Sequence, residues 1–153
     1  MIIKKGPREH RGPLNPKDVK RVLKGRGLVE GYAQGVALVS SQPISFLGGV
    51  DPETGMIIEK GHELEGEKVT GRILVFPHGK GSTVGSYILY RLATRGLAPK
   101  AIINVKSDPV VVVGCVISNI PLVDSLNGNP ITEIKSGDRL FVDGYRGEVY
   151  ILK

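Results

Sequence analysis

"VFPHGKGSTVGSYILYRLATRG", residues 75–96, leads from an apolar strand through a turn with two glycines and a lysine into a helix. Gly79 and Gly81 permit backbone conformations that other residues avoid, and they let another group come close. Ser82 or Thr83 can cap the helix that follows. A strand, a tight turn and a helix in this order form the local unit of an α/β fold, so this stretch decides the fold class.

The helix after the turn has a predicted apolar face. Its members recur at helical spacing and are Val84, Ile88, Leu89 and Leu92. Gly96 can end the helix, and Pro99 prevents its continuation. Tyr87 and Tyr90 lie on the same helix and are predicted to be packing residues.

The turn itself favours an anion. Free backbone N–H groups and the positive end of the helix dipole point into it, beside the Lys80 ammonium. The anion would be a phosphate, a carboxylate or a developing alkoxide on Ser82, whereas the plainer alternative is that Ser82 only caps the helix. Spacing excludes a nucleotide P-loop, because Gly81 follows Lys80 where that motif requires Ser or Thr.

Short aliphatic or β-branched runs on both sides of this unit predict further strands. They are bounded by Gly, Pro and Ser and fall within residues 27–40, 71–77, 100–105 and 120–123, with a closing hairpin over 137–152. Residues 41–71 are rich in turn dipeptides and predict a long structured loop, where functional groups are often found. The run "DPVVVVGCVIS", residues 108–118, is ambiguous, and we expect a short buried helix that begins at Asp108-Pro109.

The positive charge of the chain is concentrated at its start. Residues 1–26 contain nine Lys or Arg against Glu9 and Asp18, whereas residues 27–153 contain twelve basic and thirteen acidic residues. Residues 15–25, "NPKDVKRVLKG", predict a short helix capped by Asn15. We therefore expect a basic N-terminal arm with a short helix over residues 1–26 and a single compact domain over residues 27–153.

Several classes of protein are not expected. No apolar run is long enough for a membrane span, which predicts a soluble, cytoplasmic protein. The single cysteine, Cys115, can neither form an internal disulfide nor hold a metal by itself, and it is expected to be a small core residue. His62 and His78 are expected in exposed loops without a visible metal partner, and His10 lies in the arm. Nucleic-acid binding is not expected as the function, because the basic arm has no interleaved aromatic residues.

Four blocks resemble a known family in order and spacing. They are "GVALVSSQPISFLGGVDPETGMII" (35–58), "GRILVFPHGKGSTVGSYILYRL" (71–92), "APKAIIN" (98–104) and "DPVVVVGCVISNIPLV" (108–123). Together they resemble the small swivelling-domain subunit of the aconitase X family over roughly residues 27–152. The resemblance implies a single swivelling β/β/α domain like the fourth domain of aconitase, with a basic N-terminal extension.

The resemblance also implies a partner and a reaction. In that family a larger subunit carries a four-iron four-sulfur cluster, and the two chains together remove water from 5-phosphomevalonate in the archaeal mevalonate route to isoprenoids. The proton-abstracting serine of the family corresponds to Ser82, and Gly79, Lys80, Gly81 and Thr83 around it are implied to bind substrate. Aconitase has an arginine where this chain has Val84, so other groups must hold the substrate's anion here.

Other interpretations stay open at this stage. Asp51, in "GGVDPETG", either forms a turn or lines the shared site. Within the same superfamily, the reaction would alternatively be dehydration of a hydroxyproline-type amino acid. A non-catalytic module that binds a phosphorylated ligand and an RNA-binding protein that uses its basic arm are the alternatives from other classes.

Overall fold

Eight strands and four helices follow one another in residues 14–153, the part of the chain that the computed structural model describes. After a single 3-10 turn, Pro16–Asp18, the strands are β1 Val19–Lys24, β2 Arg26–Val29, β3 Tyr32–Val39, β4 Ile73–Phe76, β5 Ala101–Asn104, β6 Leu122–Asp124, β7 Arg139–Asp143 and β8 Glu148–Leu152. The helices are α1 Phe46–Gly49, α2 Gly85–Thr94, α3 Pro109–Ser118 and α4 Pro130–Glu133.

All eight strands belong to one sheet with the order β1-β8-β7-β3-β4-β5-β6-β2. Strands β3 to β6 are parallel, and the remaining pairs are antiparallel. Only Gly25 separates β1 from β2, yet these strands are the two ends of the order, so the sheet must curl until its ends approach each other. The contact is close, because a Cβ on Gly27 of β2 would lie 2.2 Å from the carbonyl oxygen of Gly144 in the β7–β8 hairpin.

The parallel strands are buried on both faces. Every residue of β4, β5 and β6 is buried, and alternate side chains point into two different cores. The inner core lies between the parallel strands and the antiparallel strands that curl over them. It contains Leu23, Ala37, Ile73, Val75, Ala101, Ile103, Val123, Ile134, Leu140, Val142, Val149 and Ile151. Strands covered on both sides need continuous apolar runs, which explains why these segments were recognisable in the sequence.

The outer core lies between the parallel strands and the helices. Leu74, Phe76 and Ile102 meet Leu89 and Leu92 of α2 and Val111 and Cys115 of α3 there. The two helices approach each other closely, because a Cβ on Gly114 would lie 2.6 Å from Leu89, and the Ser86 hydroxyl donates to the carbonyl of Val110 at 2.7 Å. Two β layers and one α layer result, which confirms the predicted β/β/α domain. None of the described helices is both long and apolar enough to span a bilayer.

The predicted helix over residues 15–25 is wrong. Asn15 does cap a turn, since its side chain accepts from the Lys17 N–H at 3.0 Å, but the turn ends at Asp18 and β1 begins at Val19. β1 pairs antiparallel with β8 from Val19–Leu152 to Lys24–Glu148, and it inserts Leu23 into the inner core. A partner strand at the other end of the chain thus overrides the local helical spacing. The sheet starts before residue 27, and the arm over residues 1–13 lies outside the described residues.

The predicted apolar face of α2 is partly wrong. Leu89 and Leu92 are fully buried, but Val84 precedes the helix and is 45% exposed. Tyr87 and Tyr90, predicted to pack, are exposed. The reason is the close approach of α2 to α3, which places the small residues Gly85 and Ser86 at the contact and turns the larger ones outward.

The helix expected within residues 108–118 is confirmed, but its expected burial is only partly right. Helix α3 covers Pro109–Ser118, with the side chain of its N-cap Asp108 accepting from the N–H groups of Val110 and Val111, and its outer side is exposed at Val113 and Val116. Cys115 is buried in this helix, and burial, together with the charge of Asp108, raises the pKa of its thiol. The hairpin at the chain end is β7 and β8, and residues 41–71 form a long loop with defined hydrogen bonds.

Candidate functional site

The glycine turn lies at the carboxyl ends of the parallel strands. The loops that follow β3, β4 and β5 meet there, and the first two are joined by a parallel bridge between Ile44 and Gly79. The Ile44 carbonyl accepts from the N–H of Lys80 at 3.1 Å. In α/β sheets, ligands bind beyond the carboxyl ends of the strands, so the turn occupies the part of the fold where a site is expected.

Gly79 is a position of close approach. Its N–H donates to Asp108 Oδ1 at 2.6 Å, and a Cβ would lie 2.8 Å from the side chain of Val111. Asp108 Oδ2 accepts from the N–H of Val110 at 3.1 Å, so one carboxylate joins the turn to the start of α3. The Gly79 N–H is therefore used inside the protein, and any contact of Gly79 with a ligand would involve other atoms.

Gly81 has a conformation that only glycine adopts easily. Its φ is +87°, and a Cβ would lie 2.6 Å from Ser45 Oγ. The N–H groups of Gly81, Ser82 and Thr83 donate no hydrogen bond to any residue that the structure describes. All three residues are exposed. Three consecutive unused donors at the start of α2 are suited to an anion.

Ser82 is exposed at the beginning of α2. Its Oγ accepts from the N–H of Val84 at 3.1 Å, and its carbonyl accepts from the N–H of Gly85 at 2.9 Å. The N-cap of α2 is Val84, which makes no side-chain cap hydrogen bond, so the predicted capping of the helix by Ser82 or Thr83 is not observed. The Val84 N–H contact instead closes a local turn at Ser82 just before the helix. The same N–H would also stabilise negative charge on Oγ, so this geometry is compatible with both a structural and a catalytic role for the hydroxyl.

Lys80 forms an ion pair that the sequence did not reveal. Its Nζ lies 2.9 Å from Glu59 Oε2, and the two side chains are 45% and 30% exposed. Exposed ion pairs contribute little to stability, so this contact can be exchanged for another anion at low cost. Glu59 has no signal in the sequence, because it is one of several charged residues in the long loop.

An open depression of about 370 Å³ adjoins the turn. It is lined by Ser45, Leu47, Gly48, Gly49, Glu59, Lys80 and Gly81. The "SFLGG" and "GKG" segments, quoted above for their resemblance, thus meet around one concave surface. Its volume is at the lower end of the range for small-molecule sites, about 300–1,000 Å³. Three of the seven lining residues are glycines, and the lining includes the Lys80–Glu59 pair, so a small ligand with an anionic group for Lys80 would fit.

Asp51 forms its own turn. Its Oδ1 accepts from the N–H of Glu53 at 2.9 Å, and its Oδ2 accepts from the Thr54 hydroxyl at 3.1 Å. Both oxygens are therefore engaged locally, which is what the turn alternative predicted. A contact between Asp51 and substrate stays a prediction.

The two histidines of the domain differ in exposure. The prediction for His62 is wrong, because its side chain is 6% exposed and both ring nitrogens have partners. Nδ1 accepts from the N–H of Leu64 at 3.0 Å, so Nε2 carries the proton and donates to the carbonyl of Pro43 at 3.0 Å. His78 is exposed, and its Nδ1 donates to the carbonyl of Gly79 at 2.7 Å. His10 lies outside the described residues, and within residues 14–153 no three His, Cys, Asp or Glu side chains converge in a way that would hold a metal.

The domain matches known proteins over nearly its whole length. Residues 22–151 match the family described as the aconitase X swivel domain. The phosphomevalonate dehydratase small subunit of Methanocella arvoryzae is 57% identical over 125 residues, covering 82% of this chain and 95% of that protein. The same subunit of Pyrococcus furiosus is 54% identical over 130 residues, covering 85% and 95%.

A solved structure agrees with these matches. The crystal structure of Thermococcus kodakaraensis aconitase X in its holo-form superposes with a TM-score of 0.83 at 47% identity, covering 87% of this chain and 99% of that chain. The matched regions include the glycine turn and its neighbours.

Proposed function

This chain belongs to the aconitase X swivel-domain family, and we propose that it is the small subunit of a two-chain hydro-lyase. The enzyme would remove water from (R)-5-phosphomevalonate and release trans-anhydromevalonate 5-phosphate for isoprenoid synthesis. One observation carries this proposal: 57% identity to a phosphomevalonate dehydratase small subunit across 95% of that protein. No observation favours a hydroxyproline-type substrate, a non-catalytic binding module or RNA binding.

The chain would contribute half of the active site. Residues 14–153 contain one cysteine, buried in α3, and no converging set of metal ligands. The donors present therefore do not fit an iron–sulfur cluster in this chain, and we place the four-iron four-sulfur cluster on the large subunit. When bound there, the cluster would supply a Lewis acid for the departing hydroxyl group.

Ser82 would be the base of the reaction. Dehydration breaks a C–H bond next to the carboxylate and a C–O bond on the neighbouring carbon, and it forms the double bond between them. Ser82 Oγ, as an alkoxide, would accept the proton. The Val84 N–H at 3.1 Å, the positive end of α2 and the nearby Lys80 ammonium would stabilise that alkoxide.

The surroundings of Ser82 would hold the substrate's anionic groups. The unused N–H groups of Gly81, Ser82 and Thr83 are available as donors, and Lys80 supplies the positive charge. A carboxylate or phosphate would replace Glu59 as the partner of Lys80. The depression beside the turn would provide the space for them.

The test is substitution of the proposed base in the reconstituted enzyme. In the two-chain enzyme, Ser82→Ala should reduce turnover by about 10²–10⁴-fold, whereas loss of the hydrogen bond from the Val84 N–H should cost only about 1 kcal/mol of unfolding free energy. Thr83→Ala is the matched control, because it removes a neighbouring hydroxyl that makes no hydrogen bond with the described residues. If Ser82→Ala lowers only the melting temperature, or if Thr83→Ala reduces the rate more, the Ser82 hydroxyl is structural and the base lies elsewhere.

A further inference from the structure

Helix α3 is apolar on every side. Its sequence "PVVVVGCVIS" contains no charged residue, and the cap residues Asp108 and Asn119 stand outside it. Helices that are apolar all round are normally buried all round. Here one side meets the sheet and α2, while Val113 and Val116 on the other side are 48% and 54% exposed. The outer side of α3 therefore lacks the cover that its composition predicts.

The exposed side chains of α3 continue onto α2. Seven of the ten large hydrophobic residues exposed in the described chain lie on α2, on α3 or beside them. We call these residues the α2/α3 face: Leu47, Val84, Tyr87, Tyr90, Val113, Val116 and Ile117. The two helices pack against each other through Gly85, Ser86 and Gly114, so their outer sides form one surface. A patch of this kind, unlike scattered apolar residues, marks an interaction site.

The α2/α3 face is continuous with the candidate active site. Leu47 belongs to the face and also lines the depression at Lys80 and Gly81. Its backbone nitrogen would lie 3.7 Å from a Cβ on Gly85, the first residue of α2. Val84 follows Ser82 and Thr83 directly in sequence, so one end of the face begins where the proposed catalytic turn ends.

The seven residues of the α2/α3 face are aliphatic or aromatic, and none of them is charged. Arg91 and Arg95, the basic residues at the end of α2, border the face, and both pair with the single carboxylate of Glu53, so one positive charge remains at the border. The face itself therefore presents aromatic and aliphatic side chains. Interface centres have this composition, with aromatic residues enriched and charged residues depleted.

We propose that the large subunit of the dehydratase covers the α2/α3 face. This inference rests on the proposed function, which requires a partner chain to close over Ser82. A partner that reaches Ser82 and Lys80 meets Leu47 and Val84 next, and then the tyrosines and the outer side of α3. A stable interface buries roughly 800 Å² on each partner, so the face would form its apolar centre and the polar groups of the turn its edge. The covering surface of the large subunit is accordingly apolar and uncharged.

The experiment measures association of the two chains, not activity. The cluster-loaded large subunit from the same organism is titrated with wild-type small subunit and with Val116→Glu and Tyr87→Glu. Both positions are more than half exposed, so each variant should fold, and a glutamate in the first turn of α2 is compatible with the helix dipole. Val36→Glu is the matched control, because Val36 is 40% exposed on β3, outside the face.

The proposal predicts that each of the two face variants raises the Kd for the large subunit at least about tenfold, as expected for residues near the centre of an interface. Val36→Glu should leave the Kd within about twofold of the wild-type value. The proposal would be overturned if a folded face variant bound the large subunit with wild-type affinity. It would also be overturned if Val36→Glu lost as much affinity for the large subunit as the face variants do. The face variants could instead abolish self-association of the small subunit and leave its affinity for the large subunit unchanged. That result would also overturn the proposal, and it would assign the face to contact with a second copy of this chain. If wild-type chains do not associate at all, the proposed function itself fails.

Discussion

Lys80 stands between two glycines that are required for different reasons. Gly79 gives its N–H to Asp108 and has no room for a side chain, whereas Gly81 has a φ of +87° beside Ser45. The backbone of the turn is thus held on both sides, from α3 and from the loop after β3. Among residues 14–153, the Lys80 side chain, in contrast, is held only by its ion pair with Glu59. A charge on a rigid backbone with little packing is well placed to bind a ligand.

Lys80→Ala should therefore affect turnover more than stability. The two-chain enzyme should lose about 10²-fold in rate, because one preorganised positive group is removed from the reacting anion. The unfolding free energy should change by no more than about 1 kcal/mol, since exposed ion pairs contribute little. Steady-state turnover and urea unfolding are the two measurements. Lys60→Ala is the control, because Lys60 is an exposed lysine of the loop next to Glu59. A Lys80→Ala variant that melts much earlier but turns over normally would identify Lys80 as structural.

At this scale the sequence predicts the types of residue in the turn but not their partners. Two glycines, a lysine and a serine at a strand end were sufficient to predict a turn and a candidate anion site. Glu59, Ser45 and Asp108 reach the turn from other loops, and only the folded sheet brings them together. Burial of His62 was missed for the same reason, because its partner Pro43 lies in another part of the long loop.

Among the elements, β1 shows how tertiary contacts override local pattern. Val19, Val22 and Leu23 have helical spacing, but only Leu23 is buried, and the strand is fixed by its ladder to β8. The β4, β5 and β6 segments were predictable because their both-sided burial gives continuous apolar runs. An edge strand that carries one core residue has no such signal.

Two truncations test the place of β1. Removing residues 1–13 should leave the cooperative unfolding of the domain unchanged, because β1 and the turn that Asn15 caps before it remain. Removing residues 1–24 should destabilise it strongly, because burial of Leu23 alone is worth about 2–5 kcal/mol and the β8 edge loses its partner. The stability of both truncated proteins is measured by thermal unfolding, monitored by circular dichroism. Equal stability of the two truncations would show that β1 does not belong to the cooperative unit.

At the opposite end of the sheet order, β2 is joined to β6 by a charged contact. Asp124 is fully buried and accepts from Arg26 at 2.9 and 3.0 Å and from the N–H of Ser107 at 2.8 Å. Burial raises the pKa of Asp124, but the hydrogen bonds from Arg26, Ser107 and Ser125 outweigh this effect and hold the pKa below its usual value.

A lowered pKa in the folded state predicts a pH dependence of stability. The charged form of Asp124 stabilises the fold above the unfolded pKa of about 3.9, and this contribution is lost as the pH falls through the lower folded pKa. Asp124→Asn should therefore be less stable than wild type at pH 7 by an amount that shrinks below about pH 4. Urea unfolding at pH 7, 5 and 3 measures the difference between the two proteins. If the difference in unfolding free energy between wild type and Asp124→Asn stays constant or increases at pH 3, this role for Asp124 is contradicted.

The whole molecule is a curled sheet with two cores and one apolar side left open. The inner core is enclosed by strands, and the outer core is closed by α2 and α3, whose far sides are exposed. The candidate base, the unused N–H groups and Lys80 lie at one end of that open side. The fold was predictable from strand and helix patterns, whereas the open side was not, because burial of α3 looked complete from its sequence. We propose that this domain, with its candidate base Ser82 and no cluster site among residues 14–153, is half of an enzyme.

The rate of water loss from 5-phosphomevalonate tests this account most directly. It is measured under anaerobic conditions for this chain alone, for the cluster-loaded large subunit alone, and for their equimolar mixture. Turnover is expected only in the mixture, because the proposed base and the proposed cluster lie on different chains. Turnover by this chain alone, or turnover by the large subunit that does not increase when this chain is added, would contradict it.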